Sequence, residues 1–307
     1  MRRLAVLAVS GSLHAFAARA EVPQVVTDIP PVQSLAAMAM EGLGAPALLV
    51  PPGASPHDFA LRPSDARALA EADLLILNGG GLAPGAERAA DDLAPGAVRL
   101  DLMALGATHR LELREGAALE EGHGDEGHGE EHAHEGSDPH GWLDPTNGKA
   151  WLAAIAAALA EADPDNAGRY AANAERGAAR IAAAAAAASE ALKPVAGMPF
   201  LVAHDSLGYF EAAFGLRAAA ALAASDAAAP GPRRVEAARA ALEASGAACI
   251  FVEAGEPARL AERVAEGTGA AIAAIDPLGA GIEPGPALYP ELLTALAGDI
   301  ASCLGGG

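Results

Sequence analysis

Residues 21–53 read EVPQVVTDIPPVQSLAAMAMEGLGAPALLVPPG. A short apolar, β-branched run, QVVTDI, leads into a helical stretch from Val32 to Glu41, and a second apolar run, ALLVPPG, closes the unit. Short continuous apolar strands separated by helices are the pattern of a parallel sheet covered on both faces. The alternation continues with a helix from Ser64 to Ala72, DLLILNGG, a helix from Ala86 to Leu93, and AVRLDL. A polar segment at about 110–137 follows as an insertion.

Beyond it, NGKAWLAAIAAALAEA predicts a helix, which Pro164 ends. Asp165 or Asn166 is placed to cap the next helix, 166–192, which at 1.5 Å per residue spans roughly 40 Å and is stiffened by alanine. The strand–helix alternation then resumes: PFLVAH, helix from Ser206, LRAAAALA, helix from Pro232, CIFVEAG, helix from Pro257 to Glu266, AAIAAID, and a last helix from Tyr289 to Cys303. The expected fold is α/β: two lobes, each a roughly four-stranded, mostly parallel sheet flanked by helices, joined by one long rigid helix. The lobes are expected at 21–165 and 193–307.

Size and charge agree with that division. The 307 residues suit two domains of roughly 100–150 each. Lys and Arg number 20 against 40 Asp and Glu, a formal charge of −20 that repels nucleic acid and anionic membrane and attracts cations. The first 20 residues, MRRLAVLAVSGSLHAFAARA, carry two arginines, an apolar run and an A-x-A end, so a secretory signal cut near Ala20 and an exported chain are expected. Later apolar runs fall short of the roughly 20 residues that a membrane span needs. The only two cysteines, Cys249 and Cys303, are then expected to pair in an oxidising compartment.

Chemistry concentrates at the ends of strands, where open α/β sheets hold their ligands. His57 lies on a turn stiffened by Pro51, Pro52 and Pro56; His140 precedes the anchoring Trp142 and Leu143; His204 ends FLVAH. Three neutral imidazoles suit Zn2+, and Asp276 after the last strand is the candidate carboxylate for the fourth position. Asp58 and Asp205 adjoin two of these histidines and are candidates to orient them.

Between Glu120 and Gly136, four imidazoles, His123, His128, His132 and His134, stand among seven carboxylates and several glycines. This composition makes a weak, multi-site cation binder that captures or senses zinc beside the tighter site; the plainer alternative is a solvated spacer.

The stretches GASPHDFALRPSDARALAEADLLILNG, DPHGWLDP, VAHDSLGYF and DPLG, with the long helix and an acidic histidine loop, resemble the ZnuA family, the zinc-specific substrate-binding proteins of bacterial ABC importers within the cluster A-I group. The resemblance covers nearly the whole mature chain. It implies a metal site between the lobes with His57, His140 and His204 as ligands, a disulfide in the second lobe, a membrane permease as partner, and no catalysis. Manganese and iron relatives carry a carboxylate where His204 stands, so the resemblance favours zinc. Pro56 departs from those zinc relatives that have glutamate there, which leaves the fourth position to Asp276 or water. A monomer is expected. The rival reading from another class is a zinc-dependent hydrolase built on three histidines and a water, although no H-E-x-x-H stretch is present.

Overall fold

The computed structural model describes residues 22–114, 136–223 and 231–306. The expected signal segment and the loop residues His123, His128, His132 and His134 lie outside them. The first lobe contains β1 (Val25–Thr27), α1 (Pro30–Ala39), β2 (Ala47–Leu48), α2 (Pro63–Ala70), β3 (Leu74–Leu77), α3 (Pro84–Leu93) and β4 (Val98–Asp101). Two long helices follow, α4 (Pro145–Ala162) and α5 (Ala167–Leu192). The second lobe has β5 (Phe200–His204), α6 (Gly208–Phe214), β6 (Ala218–Ala223), α7 (Pro232–Ser245), β7 (Cys249–Glu253), α8 (Arg259–Ala265), β8 (Ala271–Ile275) and α9 (Leu288–Leu304).

Local sequence sets the helix ends. Proline opens α1, α2, α3, α4 and α7, where its missing N–H costs nothing and its fixed φ suits the first turn. Gly215 and Gly246 end α6 and α7 in the left-handed region, at φ 68° and 66°. Asn166 stands at the start of α5 but does not cap it: its Nδ2 donates to Asp163 Oδ2 at 2.7 Å, in a single 3-10 turn, Pro164–Asn166, that makes the corner. The eighth helix is shorter than its sequence pattern, because a turn bond from Glu256 N to Glu253 O takes up the residues before it.

Both sheets are parallel and share one topology, β2-β1-β3-β4 and β6-β5-β7-β8. In each, the chain steps outward from the first strand, returns over it, and continues on the other side. The order reverses between β1 and β3 and again between β5 and β7, and the crevices for ligands open beyond the carboxyl ends of those strands.

In the first lobe this point is filled. Asp28, just past β1 and fully buried, accepts Ile29 N at 2.8 Å and Asn78 N, just past β3, at 2.7 Å. Burial pushes the Asp28 carboxyl up to about 7 against the opposing pull of those two N–H groups. The Asn78 amide reaches on to Pro139 O at 2.9 Å, which ties the segment carrying His140 to the sheet.

At 26 residues, α5 is about 39 Å long. It buries one stripe: Tyr170, Asn173, Gly177, Ile181, Ala184, Ala188 and Leu192. Gly177 lets α1 and α4 come close, since a Cβ there would meet Leu152 and Met38. Asn173 Nδ2 donates to Ala39 O and Glu41 O and so satisfies the end of α1.

The largest core cluster does not stop at the lobe boundary. It runs from Val25 and Ile29 through Trp142, Trp151 and Tyr170 to Phe200, Phe251, Tyr289 and Ile300. Hydrogen bonds stitch the same seam: Trp142 Nε1 to Pro277 O (2.8 Å), Tyr289 Oη to Trp142 O (2.6 Å) and Ser34 Oγ to Gly285 O (2.6 Å). Gly148 makes room for the Tyr289 ring, which a Cβ would strike. A continuous core resists hinge bending more than a connecting helix alone, because opening the lobes would expose packed apolar surface.

Candidate metal centre

Three segments converge at the mouth of the seam. His57 sits on the turn between β2 and α2, half-buried; its N–H donates to Ser55 Oγ at 3.3 Å, and Ala54 N bonds Pro51 O at 3.1 Å. His140 follows a narrow neck in which Leu111–Leu113 meets 136–138 through an isolated antiparallel bridge, Glu112 to Ser137. Trp142, 1 % exposed, packs its ring at 5.3 Å from the His140 ring. His204 is the last residue of β5, at the reversal point of the second sheet. Both His140 and His204 are buried.

The ring centroids stand 5.0 Å apart for His140 and His204, 5.7 Å for His57 and His204, and 6.3 Å for His57 and His140. One ring nitrogen of each lies within 4.8 Å of those of the other two. Tetrahedral zinc with bonds of about 2.0–2.1 Å needs nitrogens about 3.4 Å apart, so ring movements of roughly an ångström close the group on one ion. Pro56, Leu82, Trp142, Pro277 and Leu278 wall the cavity with apolar surface. Such walls exclude water and strengthen every charge interaction inside.

Two carboxylates back the rings. Asp138 Oδ1 takes both the His140 N–H, at 2.9 Å, and its ring Nδ1, at 2.6 Å. Glu253 Oε1 meets His204 Nδ1 at 3.1 Å and accepts Ser206 Oγ at 2.5 Å. Burial pushes the Glu253 carboxyl up, but the bond to His204, the neighbouring imidazole charge and the Ser206 hydroxyl outweigh it and hold the group below the ordinary carboxylate range.

The other expected site residues are placed differently. Asp276 is not among the side chains whose ligating atoms gather: its Oδ2 accepts Gly281 N at 2.9 Å and closes the turn after β8, while its neighbours Pro277 and Leu278 form the cavity wall. Asp58 is exposed, its N–H bonded in the turn to Ser55 O. Asp205 faces Arg114, whose guanidinium also spans both oxygens of Glu211 at 2.8 and 3.0 Å. Burial holds the Asp205 carboxyl above its usual range, with Arg114 only partly offsetting it. The carboxylate against the His204 ring is thus Glu253, a neighbour in space from the adjacent strand, and the one against His140 is Asp138. Neither was singled out in the sequence: the D-P-H spacing is a signal that could have found Asp138, and the only sign of Glu253 is an acidic residue ending an apolar strand. The expected disulfide is present, Cys249 to Cys303, with Cα atoms 6.3 Å apart.

Residues 25–303 match the family model described as zinc-uptake complex component A, periplasmic. The high-affinity zinc uptake system protein ZnuA of Paracoccus denitrificans is 44 % identical over 331 residues, covering 98 % of this chain and 97 % of that protein. The protein of the same name from Brucella abortus (strain 2308) is 35 % identical over 304 residues, covering 91 % of each. A crystal structure of ZnuA superposes with a TM-score of 0.75 over 92 % of this chain and 99 % of that one, at 24 % identity, a likeness of fold.

Proposed function

The chain belongs to the ZnuA family of periplasmic zinc-uptake components, and from that membership we propose that it binds Zn2+ in the periplasm and delivers it to the membrane permease of an ABC importer. The observation that carries this reading is the meeting of His57, His140 and His204 from three distant segments in one apolar-walled cavity. Their ligating atoms gather without a carboxylate among the described residues, which suits zinc better than the harder Mn2+. Water or a small movement of a nearby side chain completes the tetrahedron.

The ion is cargo and no reaction is catalysed. A hydrolase would need a carboxylate poised toward a metal-bound water, whereas Asp138 and Glu253 are each turned onto a histidine ring. One chain supplies all three imidazoles, which suits a monomer. No helix among the described residues is long and apolar enough to cross a membrane. Removal of the first 20 residues near Ala20 releases the chain into the periplasm, and the histidine loop gathers zinc beside the cleft.

The test is complementation. A strain without its own zinc-uptake binding protein should regain growth under zinc chelation when it expresses this chain with its permease, and His204→Ala should abolish the rescue. Equal rescue by His204→Ala would refute the cleft as the delivery site, and no rescue by the wild type with the matched permease would refute the transport role.

A further inference from the structure

The carboxylates behind the imidazoles come one from each lobe and use the same geometry. Asp138 belongs to the neck above the first lobe, and Glu253 ends β7 of the second. Each meets Nδ1 of its histidine, at 2.6 and 3.1 Å. A carboxylate facing Nδ1 at these distances matches the tautomer in which Nδ1–H donates to it and the lone pair is left on Nε2.

We propose that Asp138 and Glu253 are the positioning residues of the metal site, fixing His140 and His204 as Nε2 ligands and supplying the two negative charges that balance a bound dication. The proposal rests on the zinc reading above and deepens it. Three neutral imidazoles around a divalent ion leave two positive charges inside an apolar wall, and an unbalanced charge there is costly to bury. Two carboxylates bring the total to zero without occupying a coordination position, so the nitrogen donor set that suits zinc is kept.

Both supports are themselves held in place. Asp138 donates its N–H to Leu111 O at 2.9 Å, and its carbonyl accepts Tyr209 Oη at 3.0 Å. The Tyr209 hydroxyl in turn accepts Leu111 N at 2.9 Å, so one C-lobe side chain fastens the neck on both sides. Glu253 is fixed by the Ser206 hydroxyl and by the parallel pairing of β5 with β7. Gly208 adds to the arrangement: a Cβ there would sit 3.0 Å from Asp138 Oδ2.

The experiment pairs Asp138→Asn and Glu253→Gln, which keep the shape and remove the charge, with Glu190→Gln as an exposed charge control. Zinc affinity is read by competition with a chelator, the geometry by the visible spectrum of the Co2+ form, and folding by the melting point of the metal-free chain. Each amide is expected to weaken zinc about 10–100-fold and to shift the Co2+ bands, while the control matches wild type. Nitrogen-15 spectra of the wild-type imidazoles, which need no variant to fold, should show Nδ1–H tautomers for His140 and His204 with the metal on Nε2. Wild-type affinity and Co2+ spectrum in both amide variants, or metal on Nδ1 in the wild type, would overturn the proposal alone. A wild-type chain that takes up no zinc at all would overturn the zinc reading together with it.

Discussion

His57 and His204 reach one cavity from supports of opposite kinds. His204 ends a buried strand, with Glu253 and Ser206 behind it and a disulfide at the far end of the neighbouring strand β7. His57 stands half-buried on an irregular turn shaped by prolines and a serine hydroxyl. If both bind the ion as proposed, His204 is the more preorganised of the two, and the less buried His57 side chain has more rotamer freedom to lose on binding. The difference teaches that the proposed metal site divides its labour between a fixed, buried base and a more exposed arm.

The harshest way to break the fixed base is Trp142→Ala. It removes a fully buried indole that packs on His140 and bonds Pro277 O, so it should cost about 3–5 kcal/mol of stability in denaturant titrations and weaken zinc binding as well. A loss below about 1 kcal/mol would show that the seam is not held there. Next comes the paired change Cys249→Ser with Cys303→Ser. The bridge spans a sequence separation of 54, worth about 4 kcal/mol by chain entropy, and equilibrium unfolding of the metal-free protein reads it directly.

The comparison itself is sharpened by alanine at each ligand. With about 3 kcal/mol per ligand in a four-ligand site, His204→Ala should lower zinc affinity more than a hundredfold. His57→Ala should cost less, by the ordering entropy its turn no longer gives up, a difference of about 1 kcal/mol. Equal losses in competition titrations would erase the distinction between base and arm.

A pH series separates the cavity from the scaffold beneath it. Zinc affinity should fall as the pH is lowered, because binding requires neutral imidazoles and protonated rings do not ligate. Asp28 acts in the opposite sense. Its folded carboxyl is raised from 3.8 to about 7 by burial, so the folded state holds that proton more tightly than the unfolded one, and its contribution to stability is lost as pH rises through that range and is constant above it. In Asp28→Asn, that part of the decline should disappear from the metal-free unfolding profile. An unchanged slope would mean that Asp28 does not titrate there. The smallest effect is expected from deleting 115–135: fewer zinc ions per chain at saturation, with the tightest site unchanged. Unchanged stoichiometry would leave the loop histidines as a spacer.

Much of this arrangement was legible in the sequence. Short apolar runs between helical stretches gave the strands, because a parallel strand buried on both faces needs no polar alternation. The histidines stood out because each follows an apolar run or an anchored turn. What was hidden was strand order: β5 and β7 are neighbours only after the chain has looped through β6 and α7, so the Glu253 pairing with His204 has no counterpart in sequence spacing. Asp205 adjoins His204 along the chain but pairs with Arg114 from the neck of the other lobe, a contact that sequence spacing does not show. Asp276 closes a turn through Gly281, a role that sequence position does not separate from ligation, since a carboxylate just past a strand suits either.

The most direct test is anomalous diffraction at the zinc edge from crystals of the untagged chain loaded with one equivalent of zinc. The account predicts one strong peak about 2.0–2.1 Å from a ring nitrogen of each of His57, His140 and His204. A peak bonded to fewer than two of these rings, or lying elsewhere in the chain, would contradict it.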